Sequence, residues 1–325
     1  MAGRSRQAIK YSIFTVIAAL CIWQMMKNLS WESFVEGLGR TDWIWMGAFV
    51  LTSIIALVFR TLRWRALLMP TDPSTGVLDT WDSINVGNAV NAVLPGAGEV
   101  VRTALVTGKK ENYGKSFGTI LMERAWDFLA IAIILILVIA CGSANVKSFL
   151  SGLFSASAGG HGFRIWPLVG AVALAGAGWI VFRLRLKYSW CGKVAETLEG
   201  IPGGICSFFK MEKKLLFCSY TAGLWLTYSL MSWTVLKAVP DLAGLSLADA
   251  LVITIVGNLA AVIPVPTGVG PFHFIVMSTL TVLFGVADET GLLYAVLYHE
   301  SHAILIIVLG VISYIRKSFL KQSAI

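Results

Sequence analysis

The chain has 325 residues, 57% of them apolar and only 14% charged, with a mean hydropathy of +0.76 and a net charge of +8. Soluble domains average about 45–50% apolar and roughly 25% charged residues, so the composition excludes an ordinary soluble domain and indicates an integral membrane protein. Nucleic acid is not an expected partner, because the basic residues punctuate apolar runs instead of sharing a soluble face.

The N-terminal MAGRSRQAIK leads into an apolar run with no small-residue cleavage signal such as A-x-A, so this first segment is expected to stay as a membrane helix. Crossing a hydrocarbon core takes about 20 apolar residues. Six runs are long enough, roughly 9–26, 43–64, 117–141, 166–182, 215–239 and 291–315. Two other regions, roughly 80–108 and 247–285, are interrupted by Pro and Gly and fit re-entrant hairpins better than pairs of full spans. They look like copies of one another: residues 86–95 read VGNAVNAVLP and run into GAGE, while residues 256–264 read VGNLAAVIP and run into PTGVG. Residues 151–162 form a small-residue outer loop. In 191–214, Val194, Leu198, Ile201 and Ile205 recur at helical spacing among Lys193, Glu196 and Glu199, which predicts an interfacial helix on the cytoplasmic leaflet, with Gly203-Gly204 fitting it poorly. The five cysteines, Cys21, Cys141, Cys191, Cys206 and Cys218, contain no C-x-x-C pair and read as buried free thiols.

Positive charge sets the orientation. With the N-terminus in the cytoplasm, Arg4, Arg6, Lys10, Arg60, Arg63, Arg65, Arg102, Lys109, Lys110 and Lys115 fall on that side, as do Arg183, Arg185, Lys187, Lys193, Lys210, Lys213, Lys214, Arg316, Lys317 and Lys321. Only Lys27, Arg40, Lys147, Arg164 and Lys237 fall outside, and Arg124 lies within a span. Both termini are therefore expected in the cytoplasm. Span parity then places the ends of the first hairpin inside and those of the second outside, so the copies are inverted. Each is followed by a span bearing ionisable residues, ERAWD from Glu123 and HESH from His299. The predicted fold is all-α: one membrane domain over 1–325, with about six full spans and two inverted re-entrant hairpins in repeat units at roughly 80–141 and 247–315. Inverted repeats that meet at mid-membrane are a transporter design.

An ionisable side chain in a bilayer costs a few kcal/mol, so each one is a functional candidate. The set is Glu99, Arg102, Glu123, Arg124, Asp127, His273, His299, Glu300 and His302. Arg102 with Glu123, and Arg124 with Glu99, could pair across helices and do no more than lock the hairpin to the next span. Alternatively Arg102 and Arg124 hold an anionic head group, since guanidinium binds phosphate through two parallel hydrogen bonds. The half-helices starting near Gly96 and Gly268 present N–H groups at a positive dipole end, which suits an anion, although any re-entrant tip needs Gly and Pro simply to turn. Gly268 joins the candidates on that basis. Asn88, Asn91 and Asn258 are expected to satisfy backbone groups near the breaks. No metal or other cofactor is expected, because His299 and His302 at i, i+3 would need His273 or Glu300 beside them and nothing in the spacing fixes that geometry. No nucleophile elbow, Walker A, Rossmann or H-E-x-x-H motif is present, so no catalytic residue is assigned and an enzyme is not expected.

Taken in order, RTLRWRALLMP from Arg60, GNAVNAVLPGAGEVVRTALV, SFGTILMERAWDFLAI, GNLAAVIPVPTGVGPFHF and the closing LYHESHAILIIVLG resemble the lysylphosphatidylglycerol synthase transmembrane region, a flippase-like integral membrane family, over nearly the whole chain. The resemblance implies a polytopic domain that moves a lipid across the bilayer, found alone or fused to an aminoacyl-transferase or glycosyltransferase. The family's P-x-x-G-E-x-x-R element falls on Pro95, Gly98, Glu99 and Arg102, its E-R-x-x-D element on Glu123, Arg124 and Asp127, and its P-G-G-x-G element on Pro266, Gly268 and Gly270 with Thr267 in place of the first Gly. Ala97 stands where many members carry Arg or Lys, and His273 where many carry Glu, so the cargo implied differs from an aminoacylated phosphatidylglycerol. No synthase domain lies in this sequence, and a separate synthase or transferase is the expected partner.

The expected activity is thus translocation of an anionic or polyprenyl-linked lipid across the cytoplasmic membrane. Three alternatives stand beside it: a small-solute or ion-coupled transporter of the same architecture, a membrane transferase binding Mg²⁺ through Asp72, Asp79 and Asp82, and a non-transporting partner of a synthase.

Overall fold

The computed structural model describes residues 30–107, 112–141, 199–260 and 269–322, and among them every regular element is helical. The runs expected at 9–26 and 166–182, the outer loop 151–162 and Gly268 lie outside the described residues. In chain order the helices are α1 (Trp31–Gly39), α2 (Trp43–Leu68), α3 (Val77–Val93), α4 (Ala97–Val106), α5 (Tyr113–Cys141), α6 (Ser207–Lys210), α7 (Lys214–Ala238), α8 (Leu247–Ala260), α9 (Pro271–Phe284) and α10 (Asp288–Gln322), with a 3₁₀ turn at Pro240–Leu242.

Two described helices are long and apolar enough to cross a membrane, α2 and Asp288–Phe319 of α10. Each leaves an apolar stripe uncovered, Ile44, Leu51, Ile55 and Val58 on α2 and Ile304, Ile307, Val308, Val311, Ile312 and Ile315 on α10. In water such faces would favour aggregation, whereas acyl chains cover them at no cost. α8 and α9 are equally apolar but shorter.

The described residues divide into two compact units, one made of those up to Arg63, Val77–Arg102 and those from Leu216 onward, the other of Trp64–Gly76 and Thr103–Leu215. In the first, α10 packs on α1, α3 and α9, and α9 packs on α8. Small residues set these distances. A Cβ at Gly310 would meet the Asn85 carbonyl oxygen of α3 at 2.9 Å, and one at Gly291 would meet the Met277 carbonyl oxygen of α9 at 3.2 Å. Close backbone approach through small residues replaces the hydrophobic drive that lipid removes. Polar contacts add direction: Tyr294 of α10 shares a 2.7 Å hydrogen bond with Ser232 of α7, and near the end of α10 Arg316 Nε donates to Asp82 Oδ2 of α3 at 2.9 Å. α1 was not anticipated from the sequence. Its cap is ordinary, with Ser30 Oγ accepting from the Ser33 amide at 3.3 Å, and the Ser30 amide donates to Glu289 Oε1 of α10 at 3.0 Å.

In the second unit, residues 199–205 are helical and lie against the start of α5. A Cβ at Gly204 would overlap the Lys115 carbonyl oxygen, and one at Gly200 would come within 2.9 Å of the Gly114 carbonyl carbon. Gly114 and Gly118 on one side and Gly200 and Gly204 on the other are thus paired small-x-x-x-small faces. Of the described residues in 191–214, 199–205 and 207–210 are helical while 211–213 are not, and Gly204 of the Gly203-Gly204 pair is the contact that seats the first of these helices.

Candidate functional site

The first break is built by three residues. Pro95 has no N–H with which to continue α3, Gly96 takes φ +82°, and α4 begins at Ala97. The two arms then cross at glycine: a Cβ at Gly98 would overlap the Gly87 carbonyl oxygen and reach Asn91 Cγ at 2.5 Å, and one at Gly87 would meet the Gly98 carbonyl oxygen at 2.9 Å. Asn91 fastens the crossing. Its Oδ1 accepts from the Gly98 amide at 2.7 Å and its Nδ2 donates to Glu99 Oε2 at 3.1 Å. Gly98 therefore gives its N–H to Asn91, and the Ala97 amide returns to the Leu94 carbonyl at 3.1 Å, so two of the α4 N-terminal donors are already used. Asn258 Nδ2 likewise donates to the Thr254 carbonyl at 2.8 Å, whereas Asn88 accepts from Arg60 Nη1 at 3.3 Å and so serves a side chain. One turn beyond the crossing Arg102 is only 3% exposed.

Between α8 and α9 the glycine of the repeated VGN meets a side chain instead of backbone. Gly257, at the place in VGN that Gly87 holds in the first copy, lets the Phe272 ring approach to 2.9 Å of where a Cβ would sit. Gly270 takes φ +94° and Pro271 opens α9, which puts His273 in the first helical turn, buried. His273 Nε2 lies 3.4 Å from Glu300 Oε1 and His299 Nδ1 lies 3.1 Å from the same oxygen. The two imidazole centroids are 5.0 Å apart, and the Phe272 ring lies 5.1 Å from His299. The fold thus joins His273 and Glu300 to His299, the two neighbours that residue spacing named for a histidine site but could not place. The donor atoms of these three lie within 4.8 Å of one another, the one set among the described residues that could hold a metal. His302 is not in that set.

The charged residues of α5 belong to the second unit. Glu123 is fully buried, and Arg124 Nη1 lies 3.7 Å from Asp127 Oδ2, one turn on, with the guanidinium partly exposed. The three aspartates considered for Mg²⁺ all have local partners. Asp82, 1% exposed, holds Arg316, Asp79 lies 3.5 Å from Lys317 Nζ, and Asp72 Oδ1 accepts from the Ser74 amide at 3.1 Å.

Uncovered apolar faces on α2 and α10, two described helices long and apolar enough to cross a membrane, and wholly helical regular structure among the described residues mark an all-helical membrane protein. The chain belongs to the family described as lysylphosphatidylglycerol synthase TM region, whose model matches residues 10–310. Nothing matches it among curated proteins or solved structures.

Proposed function

We propose that this protein moves an anionic or polyprenyl-linked lipid across the cytoplasmic membrane, with about six spans, two inverted re-entrant hairpins and both termini in the cytoplasm. The observation that carries the reading is Arg102: a guanidinium buried one turn after a broken helix, in a chain whose long helices expose apolar faces to lipid. A buried charge in a membrane protein is a functional candidate by default, and guanidinium is the side chain suited to bind phosphate through two parallel hydrogen bonds. Arg102 in the first unit and Arg124 in the second are each proposed to bind a lipid phosphate. Glu99, Glu123 and Asp127 orient them, while Gly270 and Gly268 allow close approach at the second break and His273 and His299 serve the outer half of the path. Gly98 acts by shaping the first break, through its contact with Gly87 and its bond to Asn91. The acyl chains stay outside, along faces such as that of α10. The transferase alternative has less behind it, since Asp79 and Asp82 are engaged by Lys317 and Arg316.

The test is the head group of lipid that co-purifies with the protein, identified by mass spectrometry and compared with the Arg102→Ala, Arg124→Ala double variant. The proposal expects one anionic class enriched over the membrane average and lost from the variant. A lipid profile matching the bulk membrane in both proteins would contradict it.

A further inference from the structure

We propose that His273, His299 and Glu300 form a site for one divalent cation of the zinc type, linking α9 to α10. The inference goes beyond lipid transport and does not depend on it. Zinc takes imidazole nitrogen and carboxylate oxygen at about 2.0–2.2 Å in a tetrahedron, so neighbouring donor atoms should stand roughly 3.3–3.5 Å apart. His273 Nε2 to Glu300 Oε1 is 3.4 Å, His299 Nδ1 to the same oxygen is 3.1 Å, and all three donors lie within 4.8 Å. Two edges thus already have about the right length, and the three residues offer ligand atoms no more than 4.8 Å apart.

Two further observations favour a ligand at this point. Residues i and i+1 of a helix point about 100° apart and do not normally face each other, yet His299 and Glu300 turn their polar atoms toward one place, where a residue from another helix joins them. His273 is also only 4% exposed, and the ring nitrogen that faces Glu300 Oε1 is Nε2, at 3.4 Å. Access is retained on the other side, because the Glu300 side chain is 44% exposed. Three protein ligands with one open position is the arrangement of exchangeable zinc sites. The positive end of α9 opposes a cation here, which makes the carboxylate, the one negative ligand, the member the site can least lose.

Tag-free, full-length protein in detergent, stripped with chelator, should be titrated with Co²⁺ as a spectroscopic probe and with Zn²⁺ as competitor. The expected result is one equivalent of Co²⁺ with the intense visible absorption of four- or five-coordinate cobalt, displaced by one equivalent of Zn²⁺. Since loss of an outer-shell partner alone weakens metal sites by about 10–100-fold, Glu300→Gln and His299→Gln should each weaken binding by roughly a hundredfold or more. His302→Gln should bind as the wild type does. Wild-type protein with no stoichiometric metal, or with only the weak absorption of octahedral cobalt, overturns the proposal whatever the variants do. Unchanged binding in folded E300Q and H299Q, or equal loss in H302Q, overturns it too. None of these readouts involves lipid, so failure of the metal site and failure of lipid transport are separately visible.

Discussion

Adding one methyl group at Gly98 should damage the protein more than its size suggests. A Cβ there falls on the Gly87 carbonyl oxygen and within 2.5 Å of Asn91 Cγ, and a backbone carbonyl can yield only if α3 and α4 move apart. Overpacking of this kind costs about 1–3 kcal/mol. Separating the arms also strains the Asn91 bonds to Gly98 and Glu99, worth about 1 kcal/mol for the neutral bond and roughly 1.5–3 for the one to a charged group. Alanine returns about 1 kcal/mol of helix propensity. With both Asn91 bonds lost, the net expectation for Gly98→Ala is therefore a loss of about 2.5–6 kcal/mol. Gly87→Ala, whose Cβ would stop 2.9 Å from the Gly98 carbonyl oxygen, should lose less. Gly47→Ala, with nothing within 4 Å on α2, should be neutral or slightly stabilising. Apparent unfolding free energies from denaturation in mixed micelles give the order directly. If Gly98→Ala lay within about 0.5 kcal/mol of wild type, the ordinary scatter of surface substitutions, the glycine crossing would not exist as described.

The other predictions test different joints. Asp82→Asn and Arg316→Gln should each destabilise by about 1–3 kcal/mol, between the values for exposed and fully buried pairs because Arg316 is partly exposed; a double-mutant cycle should show coupling well above about 0.5 kcal/mol. In the second unit Gly204→Ala should cost about 1–3 kcal/mol while Gly203→Ala, whose nearest neighbour is Lys115 Cγ at 3.6 Å, should be nearly silent in the same unfolding assay. Asn91→Ala removes the bridge without a clash, and should lower stability by about 1–3 kcal/mol with no change in oligomeric state by size-exclusion chromatography.

The helix breaks in two regions were legible because Pro and Gly interrupt apolar runs for reasons local to the backbone. The region read at roughly 80–108 holds Ala97–Val106 and all of Val77–Val93 but its first residues, and that at 247–285 holds Leu247–Ala260 and Pro271–Phe284, the last closed by Gly285 at φ +65°. The repeated VGN sets a glycine at the same place in both copies, but Gly87 meets the Gly98 backbone and Gly257 the Phe272 ring. α1 escaped notice because a nine-residue helix is too short for a span, although Ser30 before an apolar face of Trp31, Phe34, Val35 and Leu38 is a readable capping signal. Gly203-Gly204 was misleading for the opposite reason: glycine weakens a helix taken alone but seats it against a second glycine-bearing helix. The meeting of His273 with His299 and Glu300 could not be read at all. It depends on the packing of α9 against α10, which residue spacing does not encode.

Lipid movement is the central claim, and proteoliposomes holding a fluorescent-tail anionic phospholipid or polyprenyl phosphate in both leaflets measure it most directly, through reduction of outer-leaflet dye. The account predicts that wild-type protein makes the protected inner-leaflet fraction accessible, and that Arg102→Gln, reconstituted at equal density and shown to be folded, does so at least tenfold more slowly. A protected fraction as stable with wild-type protein as in empty vesicles, for every anionic and polyprenyl-linked lipid tried, would contradict it.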